Sequence, residues 1–164
     1  MEGLMLILAI LLPVAAAFMT LLIPWVNQTR KNRCLFVGAA LVLECVVVTL
    51  VALGGERTAV LFYMTDQLPI ALRSDGTSMV FSLVMTIMWT TSGFFSFSYM
   101  RHEKNEKSYY AFYLLVLGTL MGLTLSGTMV TMYLFFEAMT LLSVPMVLHT
   151  RSKEAIAAGI KYLI

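Results

Sequence analysis

The first residue in this chain that calls for a chemical explanation is a single acid. Glu137 stands in Met132-Tyr133-Leu134-Phe135-Phe136-Glu137-Ala138-Met139, inside an apolar run that opens near Met129. Eight residues of helix carry it ~12 Å from the end of that run. An ionised carboxylate at such depth in hydrocarbon is costly unless it is paired or hydrated. Such a group stays protonated or shares its site with a cation, and a proton carrier uses both states, because the charge switches when a neighbour moves. The plainer alternative is a protonated Glu that only hydrogen-bonds a neighbouring helix. Thr140 lies about one turn further along the same face and could hydrogen-bond the acid. Pro145 removes a backbone donor and leaves the Leu141 carbonyl without its helical partner. A kink there could admit water, although prolines also occur in apolar helices for packing.

Two further charges interrupt apolar runs. Glu44, in Leu41-Val42-Leu43-Glu44-Cys45-Val46, has only Cys45 and Thr49 as polar neighbours. It suits an ion path or the holding of a partner helix equally well. Lys161 lies in the closing run Ala155 to Ile164. It could snorkel to the interface or point toward Glu137. The opposed run directions put Glu137 roughly 9 Å deeper, so a water-mediated link suits them better than a direct salt bridge. Gly118, Gly122 and Ser126 recur every fourth residue, a spacing that lets another helix approach closely. Cys34 and Cys45 lack any metal or redox spacing and read as small buried hydrophobes. His102 and His149 have no metal-like companions. No phosphate loop, nucleophile–base pair, haem motif or iron–sulfur spacing is present, so no metal or cofactor is expected.

The elements that must position these residues follow from composition. Of 164 residues, 60% are hydrophobic and only 12% are charged, about half the roughly 25% charged content of globular proteins. Mean hydropathy is +0.87. A soluble fold of this size buries only about two thirds of its surface and could not hide so much apolar area. A soluble enzyme, a nucleic-acid binder and a disordered tail are therefore excluded. Runs near 20 residues cross a hydrocarbon core ~30 Å thick. They cover about Gly3 to Trp25, Cys34 to Leu53, Thr77 to Tyr99, Tyr109 to Ser126 and Met129 to His149, with a sixth beginning at Ala155. The expected fold is an all-α polytopic membrane protein with five complete transmembrane helices and the start of a sixth. The sixth run reaches only ~15 Å, so residues 1–164 read as a single membrane domain, the N-terminal part of a longer subunit.

Met1-Glu2-Gly3 lacks a basic leader, so the first run reads as a retained span rather than a cleaved signal. Connections after the first, third and fifth runs carry Arg30, Lys31, Arg33, Arg101, Lys104, Lys107, Arg151 and Lys153; the opposite ones carry Arg57 and Arg73. Basic loops face the cytoplasm, which places the N-terminus outside. Between Glu56 and Gly76, two β-prone stretches flank Asp66-Gln67-Leu68-Pro69, predicting a small outer hairpin over 58–72.

The stretch from Ser74 to Ile164 resembles the antiporter-like membrane subunits shared by Mrp-type cation/proton antiporters, respiratory complex I and membrane-bound hydrogenases. The matching residues are Asp75-Gly76-Thr77-Ser78, Tyr99-Met100-Arg101-His102-Glu103, Tyr133-Leu134-Phe135-Phe136-Glu137-Ala138-Met139, and Ser152-Lys153-Glu154-Ala155-Ile156 through Lys161-Tyr162-Leu163-Ile164. The D-type antiporter protein is the most similar in these stretches. The resemblance implies that Glu137 belongs to a proton path, with a lysine partner in a later span beyond this sequence. Lys161 corresponds to a common Lys-Tyr near the start of the sixth span, and Glu44 matches no family motif. Implied with it are the cell inner (cytoplasmic) membrane, lipid and other membrane subunits as partners, and protons with Na+ or K+ as cargo. No nucleic acid and no catalytic site of its own are implied, though the chain could sit within an NADH:quinone oxidoreductase or hydrogenase complex. The expected function is proton translocation by Glu137. The alternative is a non-transporting scaffold that uses the Gly118, Gly122 and Ser126 seam and Glu44 to hold partners.

Overall fold

The computed structural model describes residues 2–65, 68–102, 105–148, 159 and 161. Six helices and one hairpin make up the described architecture. Helix α1 (Glu2–Leu22) stops where Pro24 takes the first position of the short α2 (Pro24–Gln28), a position that needs no backbone donor. The corner is tied by Asn27, whose Nδ2 donates to the carbonyls of Thr20 at 2.7 Å and Ile23 at 3.2 Å. Thr29 caps α3 (Arg30–Leu53) by accepting the Asn32 amide, and Gly55 leaves it at φ 80°, a left-handed conformation that favours glycine.

The hairpin follows as strands β1 (Arg57–Thr65) and β2 (Leu68–Ser74), paired antiparallel from Arg57–Ser74 to Thr65–Leu68. This is the hairpin read from the 58–72 stretch. Asp75 then opens α4 (Gly76–Tyr99) with a capping box, its side chain accepting the Ser78 amide while Ser78 Oγ accepts the Asp75 amide. A 3-10 turn, Met100–His102, leads toward α5 (Glu106–Thr124). Thr128 caps α6 (Met129–Val147).

Among the described residues four helices, α1, α3, α4 and α6, are long and apolar enough to cross a membrane. Helix α5 is not among them. It starts with Glu106-Lys107-Ser108 and carries three tyrosines, yet it is the most enclosed element, with twelve buried residues from Glu106 to Gly122. It packs against α1 on one side and α6 on the other, while α3 packs against α1 and α4. Glycines set these approaches. A Cβ on Gly118 would lie 2.6 Å from Val14 Cγ2 and one on Gly93 2.5 Å from Leu41 Cδ1, and one on Gly122 would run into the Phe135 ring.

Helix α4 is inverted relative to a helix in a water-soluble protein. Its buried residues are Ser78, Ser82, Thr86, Gly93 and Ser96. Its exposed face carries Val80, Phe81, Val84, Ile87, Met88, Phe94 and Phe95. Hydroxyls inside and hydrocarbon outside suit lipid as the solvent. With four apolar membrane-length helices, the chain is a multi-pass membrane protein.

The contacts also sort the connections into two ends. At one end Arg30 and Arg33, at the start of α3, meet Glu106, at the start of α5. At the other, β2 bonds the α5–α6 turn, with the Arg73 amide donating to Leu125 at 2.7 Å and the Gly127 amide to Ala71 at 2.8 Å. Gly3 of α1 lies beside Ala59 of β1 at this same end. Arg30 and Arg33 thus lie at one end, and Gly3 and the hairpin at the other.

Candidate ion-path site

Glu137 is held midway along α6, a helix that packs on α5 and touches β2. Thr128 Oγ1 accepts the Thr131 amide at the N-cap, and Thr131 Oγ1 accepts the Ala71 amide of β2 at 3.0 Å, which fixes the start of α6 against the hairpin. From there Glu137 projects to the outside of the described bundle, on a face with Tyr133, Phe136 and Leu141 that is likewise exposed. Tyr133, one turn earlier, interacts with it. Thr140, expected as a partner of the acid, donates its hydroxyl to the Phe136 carbonyl at 3.0 Å instead. A threonine within a helix readily makes this bond to the carbonyl four residues back.

Glu44 has the opposite aspect. It shares one face of α3 with Val37, Leu41, Val48 and Val51, all part of the apolar core, and is 0% exposed. Neither of its carboxyl oxygens has a hydrogen-bond partner among the described residues. Nine residues of helix separate Glu44 from Leu53, ~13 Å, so the two acids lie at similar depth from the hairpin end. One faces the bundle interior and the other faces outward. The structure does not bring them together. Lys161 is exposed on a helical residue, and the ion pairs among the described residues include neither Lys161 nor Glu137.

The glycine seam divides between two neighbours. Gly118 faces Val14 and the Ile10 carbonyl of α1, whereas Gly122 faces Phe135 of α6. Ser126 forms a β-bridge with Leu72. Cys34 and Cys45 are free thiols, and Cys45 Sγ lies 3.2 Å from Thr90 Oγ1. No group of three or more His, Cys, Asp or Glu that could hold a metal ion occurs among the described residues.

One charged cluster escapes a reading of the sequence. Glu106, a loop acid by its surroundings, is 7% exposed and binds Arg30 Nε at 2.6 Å and Arg33 Nη1 at 2.9 Å. Arg30 also donates to the Phe97 carbonyl, Arg33 to Asn27 Oδ1 at 3.3 Å, and the Tyr110 hydroxyl to the Ser96 carbonyl at 3.2 Å. Together these bonds join the ends of α2, α3, α4 and α5. Nothing in the sequence separates Glu106 from Glu103 and Glu154, the other acids on the side of the chain that carries most of the basic residues. On the opposite side, Asp75 is held below the usual carboxylate range, chiefly by the Ser78 amide.

No family model matches the chain. It is 27% identical over 144 residues to a probable K+/H+ antiporter protein of Rhizobium meliloti (strain 1021), of the A/B type, covering 82% of this chain and 14% of that protein. It is 29% identical over 85 residues to the A1-type Na+/H+ antiporter protein of Staphylococcus haemolyticus (strain JCSC1435), covering 52% of this chain and 11% of that one. Both are named as subunits of their antiporters. The chain thus spans a small part of the curated relatives it matches, and both are of the A type where the motifs resemble the D type. A solved structure described as the membrane-bound sulfane sulfur reductase, an archaeal respiratory membrane complex, contains a chain that superposes with TM-score 0.80 over 96% of this one and 33% of its own length, at 20% identity. At that identity the likeness concerns the fold. By sequence this chain is similar to K+/H+ and Na+/H+ antiporter subunits, and its fold is like that of a chain in a respiratory membrane complex.

Proposed function

We propose that the chain is part of a proton-translocating subunit of a cation/proton antiporter or a related respiratory complex, and that Glu137 carries the proton. The observation that supports this reading is the outward-facing acid on the exposed, largely apolar face of α6. A carboxylate cannot face lipid cheaply, so that face needs a cover of protein or water. The relatives are several times longer than this chain, and the additional length of such a subunit, or a neighbouring subunit, supplies the cover. In it a cationic partner and water let Glu137 alternate between a protonated and an ion-paired state.

The same reading takes residues 1–164 as one membrane domain in the N-terminal part of a longer subunit. Helix α5 counts as a fifth span: its polar first turn lies at the arginine end and its flanks are covered by α1 and α6. The basic end faces the cytoplasm and the hairpin lies outside the inner membrane. The scaffold alternative finds no supporting observation, since Gly118 and Gly122 are used by helices of the same chain and Glu44 is enclosed.

The test is Glu137→Gln in the complete protein, assembled with its partners and assayed for proton and cation flux in membrane vesicles. Assembly is retained and flux falls by most of its value. Normal flux from the assembled variant would refute the assignment. Labelling of single cysteines at residues 31 and 61 from either side of the membrane checks the orientation, which fails if residue 31 reacts from outside.

A further inference from the structure

The acid left unused by that mechanism is Glu44. It is fully enclosed, and both carboxyl oxygens lack a partner among the described residues. A packing role would be filled better by Leu or Met, which leave no polar group unsatisfied; a buried polar atom without a partner is costly. Something the described side chains do not supply must therefore satisfy this carboxyl.

The surroundings indicate what. Helix α3 runs antiparallel to α4, with Cys45 opposite Thr90 and Leu41 opposite Gly93. From the level of Thr90 toward the hairpin end, the inner face of α4 presents Thr86, Ser82 and Ser78, all buried. They recur every four residues, ~6 Å apart, a gap that one water bridges. Ser78 Oγ donates to the Asp75 carbonyl at 3.0 Å, Ser82 Oγ to Met79 at 3.1 Å and Thr86 Oγ1 to Ser82 at 2.7 Å. A hydroxyl that donates to the backbone keeps acceptor lone pairs and so can hold a water, and it passes a proton on by turning its own O–H from the carbonyl to the next water as it accepts from the last. The row starts at the Asp75 capping box, at the exposed end of the helix. Among the described residues the other buried charged side chain is Glu106 of α5, which lies at the arginine end in its pairs with Arg30 and Arg33. The titratable groups at its level are Cys45 on its own helix and Tyr113 of α5, whose hydroxyl donates to the Trp89 carbonyl at 2.5 Å.

We infer that Glu44 is a proton-binding site enclosed by α1, α3, α4 and α5, reached by water from the hairpin end along the hydroxyl face of α4. A proton arriving through that water adds to the carboxylate to give the neutral acid, and leaves by the same row. The inference stands apart from the role of Glu137.

Infrared spectroscopy of the complete protein in lipid tests it. The wild type has a neutral-acid C=O band that is lost in Glu44→Gln, and the band shifts on transfer from H2O to D2O. Thr86→Val with Ser82→Ala slows that shift about tenfold or more, because two bridging hydrogen bonds are lost and one alone corresponds to about tenfold. The band survives in Glu137→Gln, which separates this site from the transport assignment. An unchanged spectrum in Glu44→Gln, or a band that never shifts in D2O, overturns the inference. Should Glu44→Gln fail to fold, the hydroxyl variants keep Glu44 in place, and an exchange rate equal to that of the wild type overturns it as well.

Discussion

Replacing Glu106 by Gln should loosen the end of the bundle where four helices meet. The Arg30 pair is the weaker contribution, because Arg30 is 39% exposed and a pair so open to solvent is worth about 0–1 kcal/mol. The Arg33 pair is different: the partners are 15% and 7% exposed. Breaking a buried pair costs about 3–5 kcal/mol. Gln keeps one acceptor oxygen and Arg33 keeps Asn27, so roughly half of that loss remains. Glu106 also stands in the first turn of α5, where a negative charge contributes about 0.3–1 kcal/mol through the helix dipole. The sum is about 3 kcal/mol, or a fall in melting temperature of roughly 6–12 °C for a chain of this size. Thermal unfolding of the protein in detergent measures it, at low salt and at high salt. Salt should weaken the Arg30 contribution and spare most of the Arg33 contribution. Arg33→Met combined with Glu106→Leu should be more stable than the sum of the two single changes, because it removes the more buried pair from both sides and leaves only the partly exposed Arg30 without its acid. A fall under about 2 °C, or strict additivity in the double variant, would refute the reasoning.

Gly118→Ala should destabilise by about 1–3 kcal/mol, since the new methyl meets Val14 and the Ile10 backbone carbonyl, whereas Gly76→Ala meets nothing within 4 Å and serves as the control; melting temperatures of the two variants check this. Thr131→Val removes the acceptor of the Ala71 amide and should cost about 1–3 kcal/mol, seen as faster hydrogen exchange at Ala71 and detachment of β2 from α6. Asp75→Ala should fray the first turn of α4, seen as faster exchange at Thr77 and Ser78. Because the Ser78 amide lowers the Asp75 pKa, the protection is complete above the ordinary carboxylate pKa and is lost as pH falls through the lowered folded value. The variant should differ from the wild type at neutral pH and converge with it in acid.

The apolar runs, the hairpin and the chemical oddity of Glu137 are legible in the sequence, because run length, strand alternation and a charge within hydrocarbon are local properties. Pro24 likewise marks the end of α1 through backbone chemistry alone, whereas Thr29 caps α3 ahead of the apolar run read from Cys34. Glu44 and Glu137 look alike in the sequence, each an acid in an apolar run with a hydroxyl residue close by. Only helix packing separates them, because the direction in which an acid points depends on which neighbours its helix rotates against. Packing likewise turns Glu106 from a loop charge into the partner of arginines 76 and 73 residues away, and assigns Gly118 to α1 and Gly122 to α6. Spacing along the chain sets what each residue can do at its own depth. Whether it meets lipid, a charge or another helix is decided by contacts between segments far apart in sequence.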